Sequence, residues 1–360
     1  MNIVKDILSN KRFSTDELIR LFNAAGDEKE LIYKKAYEVK KKYSGNKVYL
    51  RALIEIGNQC KKDCFYCGIR KSNTNVVRYE IPESEIKTLI SLALNDKYNS
   101  IVVQSGELTG KTFIQKITGI VEHTCKQKKG TGITLSCGEQ SEKVYQTWRD
   151  AGANRYLLRI ETSNRELYKK LNPNDSLHAF DNRLQALKDI QKTGYQTGTG
   201  IMIGLPFQTV EDLANDLLFM QEFDIDMCGM GPYIEQKDTP LYSFREQLLP
   251  LNKRADLTFL AIALLRIMMK DINIAATTAL HTIHHKNIIK AINYGANVIM
   301  PNITPVEYTA NYQLYKNKHS INSIDHELKT LTQLLTASDH IIDYENTGSS
   351  IHFLKKQVSK

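Results

Sequence analysis

From about residue 48 onward, short apolar runs alternate with amphipathic stretches of helical period. The strand-like runs fall at 48–56, 100–104, 132–136, 155–161, 197–205, 226–233, 274–278 and 298–301. They are β-branched or almost continuously apolar, as parallel strands buried on both faces should be. Helical patterns occupy 82–95, 112–126, 141–151, 181–193, 210–223, 253–269 and 286–294. Pro82 followed by acidic residues suits a helix start, and Gly194 after Gln191 and Lys192 suits a helix end. Eight strand-like runs with helical patterns between them predict an α/β chain, a (β/α)8 TIM-type barrel. A doubly wound open sheet is the alternative. Residues 1–45 are expected as a helical extension packed outside the barrel and covering its bottom. Residues 46–360 are then the barrel, with the eighth helix and a tail in the last 45. No linker, internal repeat or low-complexity tract divides the chain, which reads as one domain.

Composition changes little in this picture. The chain has 360 residues, 42% hydrophobic and 24% charged, which suits a barrel with a large core. The net charge is +8, but its basic runs at 40–42 and 126–129 are short and lie at helix ends, as solvated faces do. No nucleic-acid partner is expected. The most apolar stretch, 257–269, is too short for a membrane span and reads as a buried helix, so no membrane partner is expected either. The charged, amphipathic start has no signal-peptide pattern, and a cytoplasmic location is expected.

The cysteines change the picture most. There are six; Cys125, Cys137 and Cys228 are dispersed, whereas Cys60, Cys64 and Cys67 fall within eight residues. Such crowding points to metal rather than disulfides. The loop follows the first strand, so it starts at the C-terminal rim, where barrel enzymes place their chemistry. Three thiolates can hold three irons of an iron–sulfur cube and leave the fourth open to an outside molecule. The plainer alternatives are accidental clustering or a zinc knuckle with a distant fourth ligand. His281, His284 or His285 could supply that ligand, though they read more simply as a polar loop after strand seven.

Other strand ends offer groups for a ligand. Gln104-Ser105-Gly106-Glu107 closes strand two with a glycine for close approach and a carboxylate for an ammonium group. Arg159 and Glu161 end strand four on one face, where they can pair with each other or meet a ligand. Arg183, early in the next helix, could take a carboxylate or be a surface arginine. The glycine-rich strand five carries no dinucleotide or P-loop pattern. Met202, Met227 and Met230 are most simply core fillers, with Met227 near a strand end. Cys137 beside Ser136 reads as packed rather than reactive.

The spacing C-x3-C-x2-C resembles the signature of the radical S-adenosylmethionine (SAM) superfamily. There the open iron of a [4Fe–4S] cluster chelates SAM, and one electron splits the sulfonium to methionine and a 5′-deoxyadenosyl radical. Further segments, among them Thr-Leu-Ser-Cys-Gly-Glu, Arg-Tyr-Leu-Leu-Arg-Ile-Glu-Thr, Met-Ile-Gly-Leu-Pro and Gly-Ala-Asn-Val-Ile-Met-Pro-Asn, resemble the HydE family of [FeFe]-hydrogenase maturases over roughly residues 1–315. The resemblance implies a cluster on Cys60, Cys64 and Cys67, and SAM surrounded by Tyr66, Gln104, Ser105, Glu107, Glu161, Arg183 and Met227. It implies an internal cavity lined by Gln104, Thr134, Ser136, Arg159, Thr277, Thr278 and Tyr308, with Tyr312. The implied substrate is a small iron–carbonyl–cyanide cysteinate made by HydG, with HydG and HydF as maturation partners. Three departures stand out. No cysteine follows Cys228, so an accessory second cluster is expected absent. Ile160 replaces a histidine and loses a polar contact near the site. The stretch after Thr278 is unusually basic. The rivals are a rearranging enzyme of the methylornithine-synthase type and a non-catalytic iron–sulfur scaffold.

Overall fold

A computed structural model describes residues 3–315 and 324–358. The first strand run is one strand interrupted once: Lys47–Leu50 and Ala52–Gly57 flank Arg51. Its first part pairs in parallel with Val298–Ile299, the eighth barrel strand, and its second part with Ser100–Ser105, the second. Leu53 is bridged on both sides, to Val102 and to Asn302. The sheet therefore returns on itself, as a (β/α)8 barrel requires. Between these edges run Gly132–Ser136, Arg155–Leu157, Gln196–Thr199, Met227–Cys228 and Asn273–Ala276, each parallel to its neighbours.

The helices agree with the expected ones to within about two residues. Strands four to six are shorter than their apolar runs, for a steric reason. A Cβ on Gly200 would lie 2.0 Å from the carbonyl oxygen of Gly229. Strands five and six cross there at backbone distance, break, and pair again as Met202–Ile203 with Gly231–Pro232. The expected polar loop after strand seven is instead a short helix, Thr278–Ile283. A further short helix, Arg165–Leu171, was not expected from the pattern.

Helix Leu251–Met268 is buried on nearly every side because helix Gly26–Ser44 lies over its outer face. That explains its continuous apolar run. Tyr33 of the outer helix stacks on Tyr294 with ring centroids 3.7 Å apart. Helix Thr15–Phe22 packs beside helix Val210–Glu222, where Thr15 Oγ1 donates to Asn215 Oδ1 at 3.1 Å. The N-terminal helices thus clad the side of the barrel.

The floor is closed by residues 343–350 instead, which the sequence had suggested only as a tail. Arg51 and Asn273 both donate to the carbonyl of Gly348, at 3.2 and 2.8 Å. Arg155 donates to Thr347 O at 2.8 Å and to Ser100 Oγ at 2.8 Å, and Gln196 Oε1 accepts from the Ser350 N–H at 2.9 Å. Burial lowers the pKa of both arginines, Arg51 to about 10. The following helix, Ile351–Val358, is clamped by His352 between Asp224 and Asp271, at 2.7 and 3.1 Å. Among the described residues no helix is long and apolar enough to cross a membrane.

Candidate active site

The cysteine loop leaves the rim after strand one and is pressed against the end of strand two. The Glu107 N–H donates to Cys60 Sγ at 3.3 Å, and the Lys61 N–H to Glu107 O at 2.8 Å. A Cβ on Gly106 would lie 2.1 Å from Gln59 O, so only glycine lets the two segments meet. Cys64 is buried and Cys60 and Cys67 are half-buried. Burial pushes the Cys64 thiol up to about 12, although the Arg183 charge and a hydrogen bond with Tyr66 pull it down. Cys60 and Cys67 are raised by burial too. Thiols so placed become thiolates when a cation supplies the compensating charge. Among the described residues no three His, Cys, Asp or Glu side chains converge on one ion. Ligands of a cube each take a different iron and need not converge.

Behind this loop lies a buried ionic network. Glu139 accepts from Lys62 Nζ at 2.9 Å and from Arg183 Nε at 2.5 Å, while its own N–H donates to Glu107 Oε2 at 2.8 Å. Lys62 also donates to Leu177 O. The positive pair holds the Glu139 carboxyl below its ordinary value despite burial, which raises it. Arg183 is therefore no surface residue: it is buried, and donates to Arg159 O at 2.6 Å as well. Lys62 and Glu139 were not singled out in the sequence, because a lysine between cysteines is solvated by default.

Adjoining this network, Arg159 and Glu161 meet at 3.0 Å, and Arg159 also donates to Ile201 O at 2.7 Å. Glu161 holds φ +66, a region unfavourable for a residue with a Cβ, and burial raises its pKa. Asp216, on helix Val210–Glu222, holds this turn: Oδ1 accepts from the Ser163 N–H and hydroxyl at 2.5 and 2.6 Å. Burial raises Asp216 to about 7, against the pull of these hydrogen bonds. An acid whose folded pKa lies above its unfolded value contributes stability at low pH that is lost as pH climbs through the folded value. Wild-type Tm is therefore expected to lose ground between about pH 4 and 7. Asp216→Asn should raise Tm at pH 8 and leave it nearly unchanged near pH 4; equal shifts at both pH values would refute this.

Inside the barrel, the ends of strands two and three bring Gln104 opposite Ser136, and Gln104 Nε2 donates to Tyr312 OH at 3.4 Å. Thr134 and Thr277 are buried on strands three and seven. Thr278 lies beside Tyr315, whose hydroxyl it bonds together with Thr282. Ser105 turns its hydroxyl to the Gly106 carbonyl at 2.8 Å, and Tyr66, within the cysteine loop, packs on a small apolar cluster that includes Leu171, Leu205 and Tyr233. Glu55, also missed, is buried on strand one and accepts from Asn302 at 2.9 Å.

Two expected contacts lie elsewhere. Tyr308 does not face the interior: its hydroxyl reaches Glu85 on an outer helix at 3.1 Å and its ring packs on Tyr79. Tyr312, four residues further, is the inward tyrosine. Met227 starts strand six low in the barrel, its sulfur 3.1 Å from Arg51 at the floor, far from the cysteine rim. Ile160 is fully buried in the apolar core, on the face opposite Arg159 and Glu161, and turns no group toward the barrel interior. Cys137 is fully buried, its thiol pushed up to about 12 by burial, and is packed.

The test of whether a ligand belongs here is the polar atoms left over. Buried atoms with no hydrogen bond among the described residues include Glu107 Oε1, Thr134 Oγ1, Arg159 Nε, Glu161 Oε2 and Thr277 Oγ1. Glu107 Oε1 has only longer ion pairs, 3.4 and 3.6 Å to Lys61 and Lys62, and Glu161 Oε2 meets Arg159 off hydrogen-bond geometry. Such groups are costly unless a ligand satisfies them. Other buried atoms without a partner, such as Arg51 Nε and Arg155 Nε, lie at the floor. Glu107 and Glu161, however, stand at the ends of strands two and four and Thr134 within strand three, an arrangement that fits a polar cofactor above and a small polar substrate below.

Comparison with known proteins gives the same picture. The radical SAM superfamily profile matches residues 54–220. The [FeFe] hydrogenase maturase subunit HydE of Thermotoga maritima is 44% identical over 291 residues, 80% of each chain. The 3-methylornithine synthase of Methanosarcina acetivorans is 27% identical over 91% of this chain and 90% of its own. A crystal structure of methylornithine synthase superposes with a TM-score of 0.79 at 23% identity, covering 95% of this chain and 97% of that one.

Proposed function

The chain belongs to the radical SAM superfamily as a close relative of the HydE maturases, and we propose that it binds a [4Fe–4S] cluster on Cys60, Cys64 and Cys67 and SAM at the remaining iron. Its substrate is then a small organometallic cysteinate-type molecule in [FeFe]-hydrogenase H-cluster assembly, supplied by HydG and passed on toward HydF. When bound, the cluster supplies the one electron that opens the SAM sulfonium bond to methionine and a 5′-deoxyadenosyl radical.

The chain's own residues hold and shield that chemistry. The Glu107 N–H, aimed at Cys60 Sγ, stabilises the thiolate. Glu107 and Glu161 offer carboxylate oxygens for the SAM amino and ribose groups. Arg183, pinned by Glu139, keeps its charge beside Cys64 and within reach of the SAM carboxylate. Below them Arg159, Thr134 and Thr277 supply donors for a substrate, and the closed floor excludes water. The observation that carries this reading is the line of unsatisfied buried polar atoms running from the cysteine rim into the barrel. The 27% identity to 3-methylornithine synthase makes an amino-acid skeleton rearrangement the second reading.

Anaerobically reconstituted protein, given SAM and dithionite, is expected to form 5′-deoxyadenosine. It is also expected to restore hydrogenase activity in a defined maturation mixture with HydG and HydF. No 5′-deoxyadenosine would leave only the scaffold reading; cleavage without rescue would overturn the maturase assignment and favour the rearrangement.

A further inference from the structure

The cysteine loop is closed at its base by an arginine outside the ionic network behind it. Arg78 lies on a short return segment, antiparallel to the end of strand one. Gly57 bridges Glu80 there, and the Ile81 N–H donates to Ile56 O at 2.9 Å. The residues around Arg78 are fixed. Tyr79 is buried; its N–H donates to Asn58 Oδ1 at 2.8 Å and its hydroxyl to Glu55 O at 2.9 Å. Asn58 is fully buried and donates in turn to Val77 O at 2.8 Å.

The guanidinium is given over to backbone carbonyls. Nη1 donates to Asn58 O and Ile69 O at 2.7 and 2.8 Å. Nη2 donates to Arg70 O and Asn73 O at 2.6 and 3.1 Å, with Lys71 O a longer fifth at 3.4 Å. Asn58 stands two residues before Cys60, and Ile69 two residues after Cys67. One nitrogen therefore joins the two ends of the segment that carries all three cysteines, and the other gathers the turn that follows. Carbonyl dipoles aimed at one point need a donor there, because left unpaired they would be costly. Arginine meets them with a rigid planar fork; the single ammonium of lysine cannot reach them all.

The same arrangement leaves a charge in place. Every acceptor of Arg78 is a neutral carbonyl, and among the described residues no carboxylate pairs with it. Lys62 and Arg183, in contrast, pair with Glu139, and Arg70 with Asp63. Burial raises the Cys60 thiol, and the Arg78 charge is among the influences that lower it, so the two lie within Coulombic reach.

We propose that Arg78 is a positioning residue for the iron–sulfur cluster: it presets the cysteine loop and, by its uncancelled charge, makes the cluster easier to reduce. This rests on the reading of the site given above. A preset loop spares the ordering entropy that three free thiols would otherwise lose on taking up iron. A fixed positive charge favours the reduced cluster, which carries one more electron.

The test compares full-length, anaerobically reconstituted wild type with Arg78→Lys and Arg78→Gln. Three quantities are read: the rate of iron release to a chelator, the cluster's midpoint potential followed by electron paramagnetic resonance, and the melting curve of the iron-free proteins. Arg78→Lys keeps the charge and loses the fork, so iron should leave on the order of tenfold faster at an unchanged potential. Arg78→Gln loses both. Its iron release should quicken to a similar degree, and its reduction equilibrium constant should fall about tenfold, ~59 mV for one electron. Iron release at the wild-type rate in Arg78→Lys would overturn the positioning role, and an unmoved potential in Arg78→Gln the electrostatic one. An Arg78→Gln protein unfolded before iron is added would overturn both, since the residue would then hold the barrel rather than the loop. A wild type that takes up no [4Fe–4S] cluster would instead overturn the reading of the site, and this proposal with it.

Discussion

Replacing any one of Cys60, Cys64 and Cys67 by alanine is expected to bring SAM cleavage down to background while the barrel stays folded. On the proposed reading three thiolates would hold three irons, and none of the other three cysteines lies beside them to take over. Cys137 and Cys228 are buried elsewhere in the core, facing Val103 O and Met220 Sδ, and Cys125 lies on an outer helix. With two ligands the cluster would be lost or labile. The measurements are iron and sulfide content after reconstitution, 5′-deoxyadenosine by chromatography, and far-UV circular dichroism for the fold. Undiminished cleavage by the Cys60→Ala protein would defeat the central assignment.

Gly106→Ala is expected to be nearly as damaging without touching a ligand. The added methyl would sit 2.1 Å from Gln59 O and 3.0 Å from Cys60 Cβ. The first of these is backbone, so it cannot swing aside as a long side chain would; the cysteine loop itself must move. That movement also breaks the hydrogen bond from the Glu107 N–H to Cys60 Sγ. A displacement near 1 Å at a reacting centre can cost roughly 10²-fold in rate. Overpacking of this kind costs about 1–3 kcal/mol in stability, so the protein should still fold. Cleavage should therefore fall roughly a hundredfold while the melting curve shifts only by degrees. Wild-type cleavage in Gly106→Ala would show that the loop is not held by this contact.

Much of the fold was legible because its signals are local. Strand runs and helix faces repeat at periods the chain carries in itself, and Gly194 or Pro82 marks a boundary without help from distant residues. The cysteine triplet and the Ser105–Glu107 turn are local in the same way. What was not legible depends on partners far along the chain. Lys62 reads as solvated until Glu139, more than seventy residues away, is brought beside it. Glu55 reads as an unlikely strand residue until Asn302 arrives to donate to it. Met227 and Tyr308 were misplaced for a related reason: spacing assigns a residue to a strand or turn, but not to a height in the barrel or to the side its hydroxyl takes. The short helix Thr278–Ile283 was hidden by His281 within it and by His284 and His285 just beyond it, which look like loop chemistry.

The barrel floor has a consequence for how the molecule is made. Arg51 finds its carbonyl on Gly348, 297 residues further along the chain. Arg155 waits 192 residues for Thr347. Until those residues leave the ribosome, two guanidinium groups destined for burial face an open-bottomed barrel. Early strands can pair as they emerge, but this seal closes only after residue 350 has been synthesised. Contacts of such sequence separation form slowly. On the proposed reading, an oxygen-sensitive cluster inserted before that seal forms would be open to solvent from below, so synthesis of the floor would set the earliest moment at which the interior could shield a radical.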